Sequence, residues 1–209
     1  MELKQKIMED EVIAEFLLAE INSSSFRDKI LNAMGNHDSS LVINPDLTND
    51  KHNAVRKHIL AKVRGYGPDK SLFESFPYKS LFENFPNDVE WYSAVFSRNE
   101  LLDVMYINHS NWIELSSGTR LPVYAVKNIN NGSEVYDIDN TVFQEIHNDY
   151  IEGKLFPKII CVSRHKDSRV VVLEGHHRLT AFLLNQKFVP EQLKVIIGFS
   201  EKMDQWDFY

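Results

Sequence analysis

Two short, wholly apolar runs late in the chain, Ile159-Ile160-Cys161-Val162 and Val170-Val171-Val172-Leu173, restrict the possible folds more than any other feature. Their length and β-branched content suit strands covered on both faces. About six residues, Ser163 to Ser168, join them, too few for a parallel crossover, so the two strands should be antiparallel. A helical pattern in Leu179, Ala181, Phe182 and Leu183 follows, and Val195-Ile196-Ile197-Gly198-Phe199 supplies a third buried strand that can return parallel through that helix. Upstream, Asp139 is the expected cap of a helix presenting Phe143, Ile146 and Tyr150, with Gly153 ending it and Pro157 opening the next strand. The expected fold class is α+β, a small mixed sheet with flanking helices.

Between the second strand and its helix lies Glu174-Gly175-His176-His177-Arg178. A glycine at a strand end lets the backbone turn tightly, and the first amides of the next helix have no intrahelical acceptor. Those donors, the positive end of the helix dipole and the Arg178 guanidinium together favour an anion.

Glu174-Gly175-His176-His177-Arg178-Leu179-Thr180-Ala181 resembles the signature of the ParB/sulfiredoxin-like superfamily, in which a Gly-x-x-Arg turn after a strand binds nucleotide phosphates. The turn is most similar to the Asp-Gly-His-His-Arg of the free serine kinase branch. Gly175 and Arg178 match the shared glycine and arginine, His177 the histidine of sulfiredoxin and the kinase, and Glu174 the kinase aspartate. His176 stands where sulfiredoxin has its reactive cysteine, which argues against sulfiredoxin chemistry. The specific match spans about ten residues and extends more loosely over 139–199. The resemblance implies a phosphate and nucleotide site at Gly175, His176, His177, Arg178 and Thr180, with ATP, ADP or CTP and Mg²⁺ as cofactors.

Among possible chemistries, metal hydrolysis lacks a His-Glu-x-x-His or paired-cysteine spacing, and adjacent histidines on a helix point about 100 degrees apart. Cysteine catalysis lacks a cysteine in the turn. Phosphoryl transfer asks chiefly for oriented positive charge, a metal-binding acid and a base. Arg178 and the amides after Gly175 are expected to hold phosphate and His177 to donate to a phosphate oxygen. Glu174 is expected to orient Mg²⁺ or act as base, which makes Glu174 and His177 the catalytic candidates. The functional expectation is a phosphotransferase, such as a kinase of a small hydroxylated acceptor, or a nucleotide hydrolase. The alternative is a non-catalytic nucleotide- or macromolecule-binding module. ParB-like DNA segregation is disfavoured, because no clear helix-turn-helix follows the turn.

The rest of the chain reads as an N-terminal helical segment, 1–66, an aromatic connector, 67–95, and the core, 96–209. Val12, Ile13, Phe16, Leu17 and Ile21 recur at helical spacing; Ser25 is the expected cap of a second helix with Phe26, Ile30 and Met34, stopped at Gly35-Asn36. A third helix, Lys51 to Arg64, carries Lys51, Arg56, Lys57, Lys62 and Arg64, a basic stripe better explained by pairing with acids elsewhere than by nucleic acid. Ser71-Leu72-Phe73-Glu74-Ser75-Phe76-Pro77 and Ser80-Leu81-Phe82-Glu83-Asn84-Phe85-Pro86 form a tandem repeat. Its prolines favour short aromatic hooks packed across a seam between helical segment and core. Val104, Tyr106 and Trp112 to Leu115 suggest strands, Ser116-Ser117-Gly118 a turn, and Pro122 to Ile129 a short helix. Glu114, Thr119 and Arg120 are therefore a second candidate site, for substrate or the far end of a nucleotide.

A net charge of −7 argues against a generally nucleic-acid-binding surface. The single cysteine, Cys161, is expected to be a buried packing residue. No apolar run approaches the roughly 20 residues that span a bilayer, and the start lacks an apolar signal core, so a cytoplasmic protein without membrane contact is expected.

Overall fold

The computed structural model describes residues 1–73, 79–135 and 138–209 and has an α+β architecture. Its elements, in chain order, are β1 (Glu2–Lys6), α1 (Glu9–Glu20), α2 (Arg27–Met34), α3 (Ser40–Ile43), α4 (Asp50–Arg64), β2 (Glu90–Ser97) and α5 (Arg98–Asp103). There follow α6 (Ser110–Leu115), α7 (Pro122–Asn130), α8 (Asn140–Ile151), β3 (Ile159–Ser163), β4 (Val171–Glu174), α9 (His176–Leu183) and β5 (Gln192–Phe199). The five strands form one sheet in the order β1-β2-β5-β3-β4. β3 and β4 are antiparallel, as their short connection requires. The expected return of β5 parallel to β4 through the helix is corrected: β5 lies parallel to β3, on the side of β3 away from β4, and so runs antiparallel to β4, while β2 lies antiparallel on the other flank of β5.

Every residue of β3 is buried, as the unbroken apolar run demands of an interior strand. A fully buried aliphatic side chain contributes about 1.5–3 kcal/mol, so β3 and the Val195–Ile197 part of β5 are the anchors of the core. Gly198, opposite Trp91, is glycine for a steric reason: a Cβ there would lie 2.5 Å from the indole. Cys161 is buried, and burial pushes its thiol well above the ordinary range.

The expected division at 66 and 95 cuts through this sheet. β1 belongs to the supposed helical segment yet pairs with β2, and β2 itself runs across position 95. As an edge strand with four of five residues exposed, β1 carries no apolar alternation to announce it. A single apolar core runs from Ile7 to Tyr209.

Helices α1, α2 and α4 fall where helical spacing places them, although α2 starts after Phe26 and no side chain caps it, Ser25 included. Three of the five basic residues of α4 turn inward or find acids. Arg56 is fully buried, donating to the carbonyls of Leu41 and Asp46 at 3.0 Å. Lys57 pairs with Glu9 and Asp10, and Arg64 faces Glu20.

The second copy of the repeat packs on the seam. Phe82 meets Phe16, Tyr66 and Phe85, Phe85 meets Trp206, and the Trp206 indole donates to the Leu81 carbonyl. In the first copy, residues 74–78 lie outside the described residues. Two expected strands are corrected: Val104 to Tyr106 forms only an isolated parallel bridge, Met105 with Val171, and Trp112 to Leu115 belongs to helix α6, which buries Trp112 and Leu115 at i, i+3 spacing. Among the described residues no helix is long and apolar enough to cross a membrane.

Candidate functional site

β4 delivers the chain to Glu174, and Gly175 makes the bend with φ +105° and ψ 24°, a left-handed backbone that side chains resist. A Cβ at Gly175 would lie 3.1 Å from both Ile159 Cγ1 and Arg178 Nη2, so space as well as φ selects glycine. Helix α9 begins at His176, and among the described residues no side chain caps its first turn. The strand, glycine and uncapped helix stand where the sequence places them.

Arg178 is oriented differently from expectation. Its side chain folds back past Gly175 to pair with the Glu174 carboxylate, and Nη2 also approaches the Lys158 carbonyl at 3.5 Å. Both partners are largely buried, at 10% and 13% side-chain exposure. Removing one member of such a pair costs about 3–5 kcal/mol, because the survivor is left charged and unpaired. Glu174 therefore holds Arg178, which does not fit the expected roles of dedicated Mg²⁺ ligand or free base. Glu15 of α1 braces the same corner, accepting from the Lys158 amide at 2.6 Å and its Nζ at 3.2 Å.

The two histidines diverge, as adjacent helical positions must. His176 stacks on Trp112 (4.9 Å between centroids), with Tyr106 packed against Trp112 at 4.7 Å and 6.0 Å from His176, while His177 stacks on Phe143 (5.2 Å) and meets Trp112 in a T-shaped contact. Helices α6 and α8 thus supply an aromatic wall. Burial lowers both imidazole pKa values, His177 to about 4 and His176 well below its ordinary value. Near pH 7 both are neutral, and each offers one N–H and one lone pair.

Two further residues, unrecognised in the sequence, join this corner from the N-terminal helices. Glu20, the last residue of α1, is 5% exposed, and Arg64, the last of α4, places Nη2 3.7 Å from its Oε1. The Arg64 guanidinium lies over the Phe26 ring at 4.2 Å. Burial pushes the Glu20 carboxyl up to about 7; Arg64, Arg178 and Lys29 oppose the rise and Glu174 adds to it. Glu20 thus feels both members of the turn's ion pair. The available signal was spacing: Glu20 follows Phe16 by four positions on a buried helical face.

Among the described residues eight buried side-chain polar atoms have no hydrogen-bond partner, and four of them, Glu20 Oε2, Arg64 Nε, His176 Nε2 and Arg178 Nε, belong to this electrostatically coupled corner. Each such atom costs about 1–3 kcal/mol, so four on neighbouring residues call for an explanation.

The remaining candidates have internal tasks. Thr180 is fully buried, its hydroxyl donating to the His176 carbonyl at 2.8 Å and bonding to the Tyr106 hydroxyl, so it is not presented to phosphate. Thr119 Oγ1 donates to Ser116 O and accepts from the Leu121 amide, and Glu114 is exposed on α6. Arg120, at φ +62°, donates to the backbone oxygens of Tyr106, Phe208 and Tyr209 at 2.8, 3.3 and 3.2 Å. Burial and the nearby Arg169 lower its pKa to about 10. The expected substrate site is therefore a clamp that ties α6–α7 to the C-terminal segment.

Among the described residues no group of three or more His, Cys, Asp or Glu side chains could hold a metal ion. Comparison of the chain with family models, curated proteins and solved structures gave no match.

Proposed function

We propose that this chain is a nucleotide-binding protein of the ParB/sulfiredoxin-like kind, a phosphotransferase or nucleotide hydrolase taking ATP, ADP or CTP. The observation that carries this reading is the left-handed Gly175 opening an uncapped helix beside a buried guanidinium. In it, the amides of His176 to Arg178 and the Arg178 Nε–H hold phosphate oxygens, and neutral His177 donates a further hydrogen bond. Glu174 positions Arg178 rather than reacting. Mg²⁺ would arrive on the nucleotide's phosphates and supply charge neutralisation there. A small hydroxylated molecule is the proposed acceptor.

One observation favours a second reading, a binding module without turnover: Glu174, the acid nearest the bend, is engaged in an ion pair with Arg178. Calorimetry with ATP, ADP and CTP in the presence of Mg²⁺, on the native chain and on Arg178→Ala, tests the shared claim. Phosphate release or transfer supports the enzyme; binding without turnover supports the module; no binding of any of the three overturns both.

A further inference from the structure

We infer that Glu20 and Arg64 extend the phosphate site into the N-terminal helices, forming a buried oxyanion subsite in which Glu20 acts as a neutral acid and donates a hydrogen bond to the anion. The inference rests on the phosphate reading of the turn and adds its inner wall.

The four unpartnered atoms define the chemistry. Arg64 Nε and Arg178 Nε are obligate donors, and His176 Nε2 donates in one neutral tautomer. Three donors, two of them on guanidinium groups, suit a compact tetrahedral oxyanion better than a cation or an apolar group. Glu20 Oε2 is the exception, since an ionised carboxylate would repel such a guest. Protonated, the same atom can donate, and the corner becomes uniformly complementary. The surroundings favour that form: Glu20 is 5% exposed, and Glu174 lies close enough to repel its charge. The groups opposing protonation are Arg64 on α4, Arg178 on α9 and Lys29 on α2, the first two of which an anion would partly neutralise. Above about pH 7, where Glu20 is largely ionised in the free protein, binding at this corner therefore takes up a proton at Glu20, and affinity falls as pH rises past neutrality.

Sulfate is the diagnostic probe, because it carries no titratable proton between pH 6 and 9. Sulfate titration calorimetry on the native chain, in two buffers of different ionisation heat, should show uptake of about one proton and an affinity falling toward about tenfold per pH unit at the alkaline end. Glu20→Gln, a neutral donor, should bind sulfate at pH 6 within a few-fold of native and lose the pH dependence. Arg64→Met should weaken binding at every pH. Circular dichroism and melting of each variant establish that it is folded. Sulfate binding with no proton uptake, or the same pH dependence in Glu20→Gln, overturns the inference while leaving the turn intact. Absence of binding to the native chain by sulfate and nucleotides alike overturns the turn reading and this inference together.

Discussion

Gly175→Ala isolates the turn's two constraints and gives a worked magnitude. A left-handed residue with a Cβ costs about 1–2 kcal/mol from backbone sterics, and φ +105° lies beyond the usual left-handed well. The new methyl would sit 3.1 Å from Ile159 Cγ1 and from Arg178 Nη2, and overpacking of that kind adds about 1–3 kcal/mol. The sum, about 2–5 kcal/mol, corresponds to roughly 4–20 °C in Tm for a chain of this size. Gly153→Ala is the control: φ is +83° there as well, but nothing lies within 4 Å of its Cβ, so only the backbone cost of about 1–2 kcal/mol applies. Scanning calorimetry of both variants checks the difference. Equal losses at the two positions would refute the close packing of Arg178 and Ile159 around the bend, and no loss at Gly175 would refute the bend itself.

Glu20→Gln should stabilise the unliganded protein at alkaline pH. The folded carboxyl titrates near 7 and the unfolded one near its ordinary value, so the Glu20 contribution to native stability is fully present below the unfolded pKa and is lost as pH rises through about 7. The difference between variant and native should approach about 2–4 kcal/mol by pH 8 in denaturant titrations; a pH-independent difference would count against a buried acid. Histidine NMR should find His177 neutral from pH 5 to 8, whereas Trp112→Ala, which admits water to both imidazoles, should raise its pKa toward the ordinary value. An ordinary titration already in the native chain would contradict the aromatic wall. Arg120→Ala should cost about 2–4 kcal/mol of stability and leave sulfate affinity unchanged, because its three donors serve internal backbone oxygens; a loss of affinity in a folded variant would return it to the binding site.

What the sequence made legible was local. β3 and β4 were readable because interior strands carry unbroken apolar runs, and α1, α4 and α8 because one face repeats at helical spacing. β1 was hidden because an edge strand needs no apolar alternation, and β2 because it was absorbed into the aromatic connector. The stretch Trp112 to Leu115 reads equally well as a strand or a single helical turn, and tertiary packing decided it. The bend at Gly175 was visible for the same reason as the strands: its whole mechanism lies within five residues. The inward fold of Arg178 onto Glu174 was not, since i, i+4 spacing permits the pair without requiring it. Glu20 and Arg64 reach the corner from the ends of two helices, a convergence that only the fold creates.

The claim beneath the functional reading is that the first amides of α9 receive an anion. An amide NMR titration of the native chain with ATP and Mg²⁺ tests it most directly. The largest shifts should fall on the backbone N–H groups of His176, His177 and Arg178, with smaller ones at the Arg64 and Arg178 side chains. Saturable shifts confined to another surface, with these amides unmoved, would contradict it.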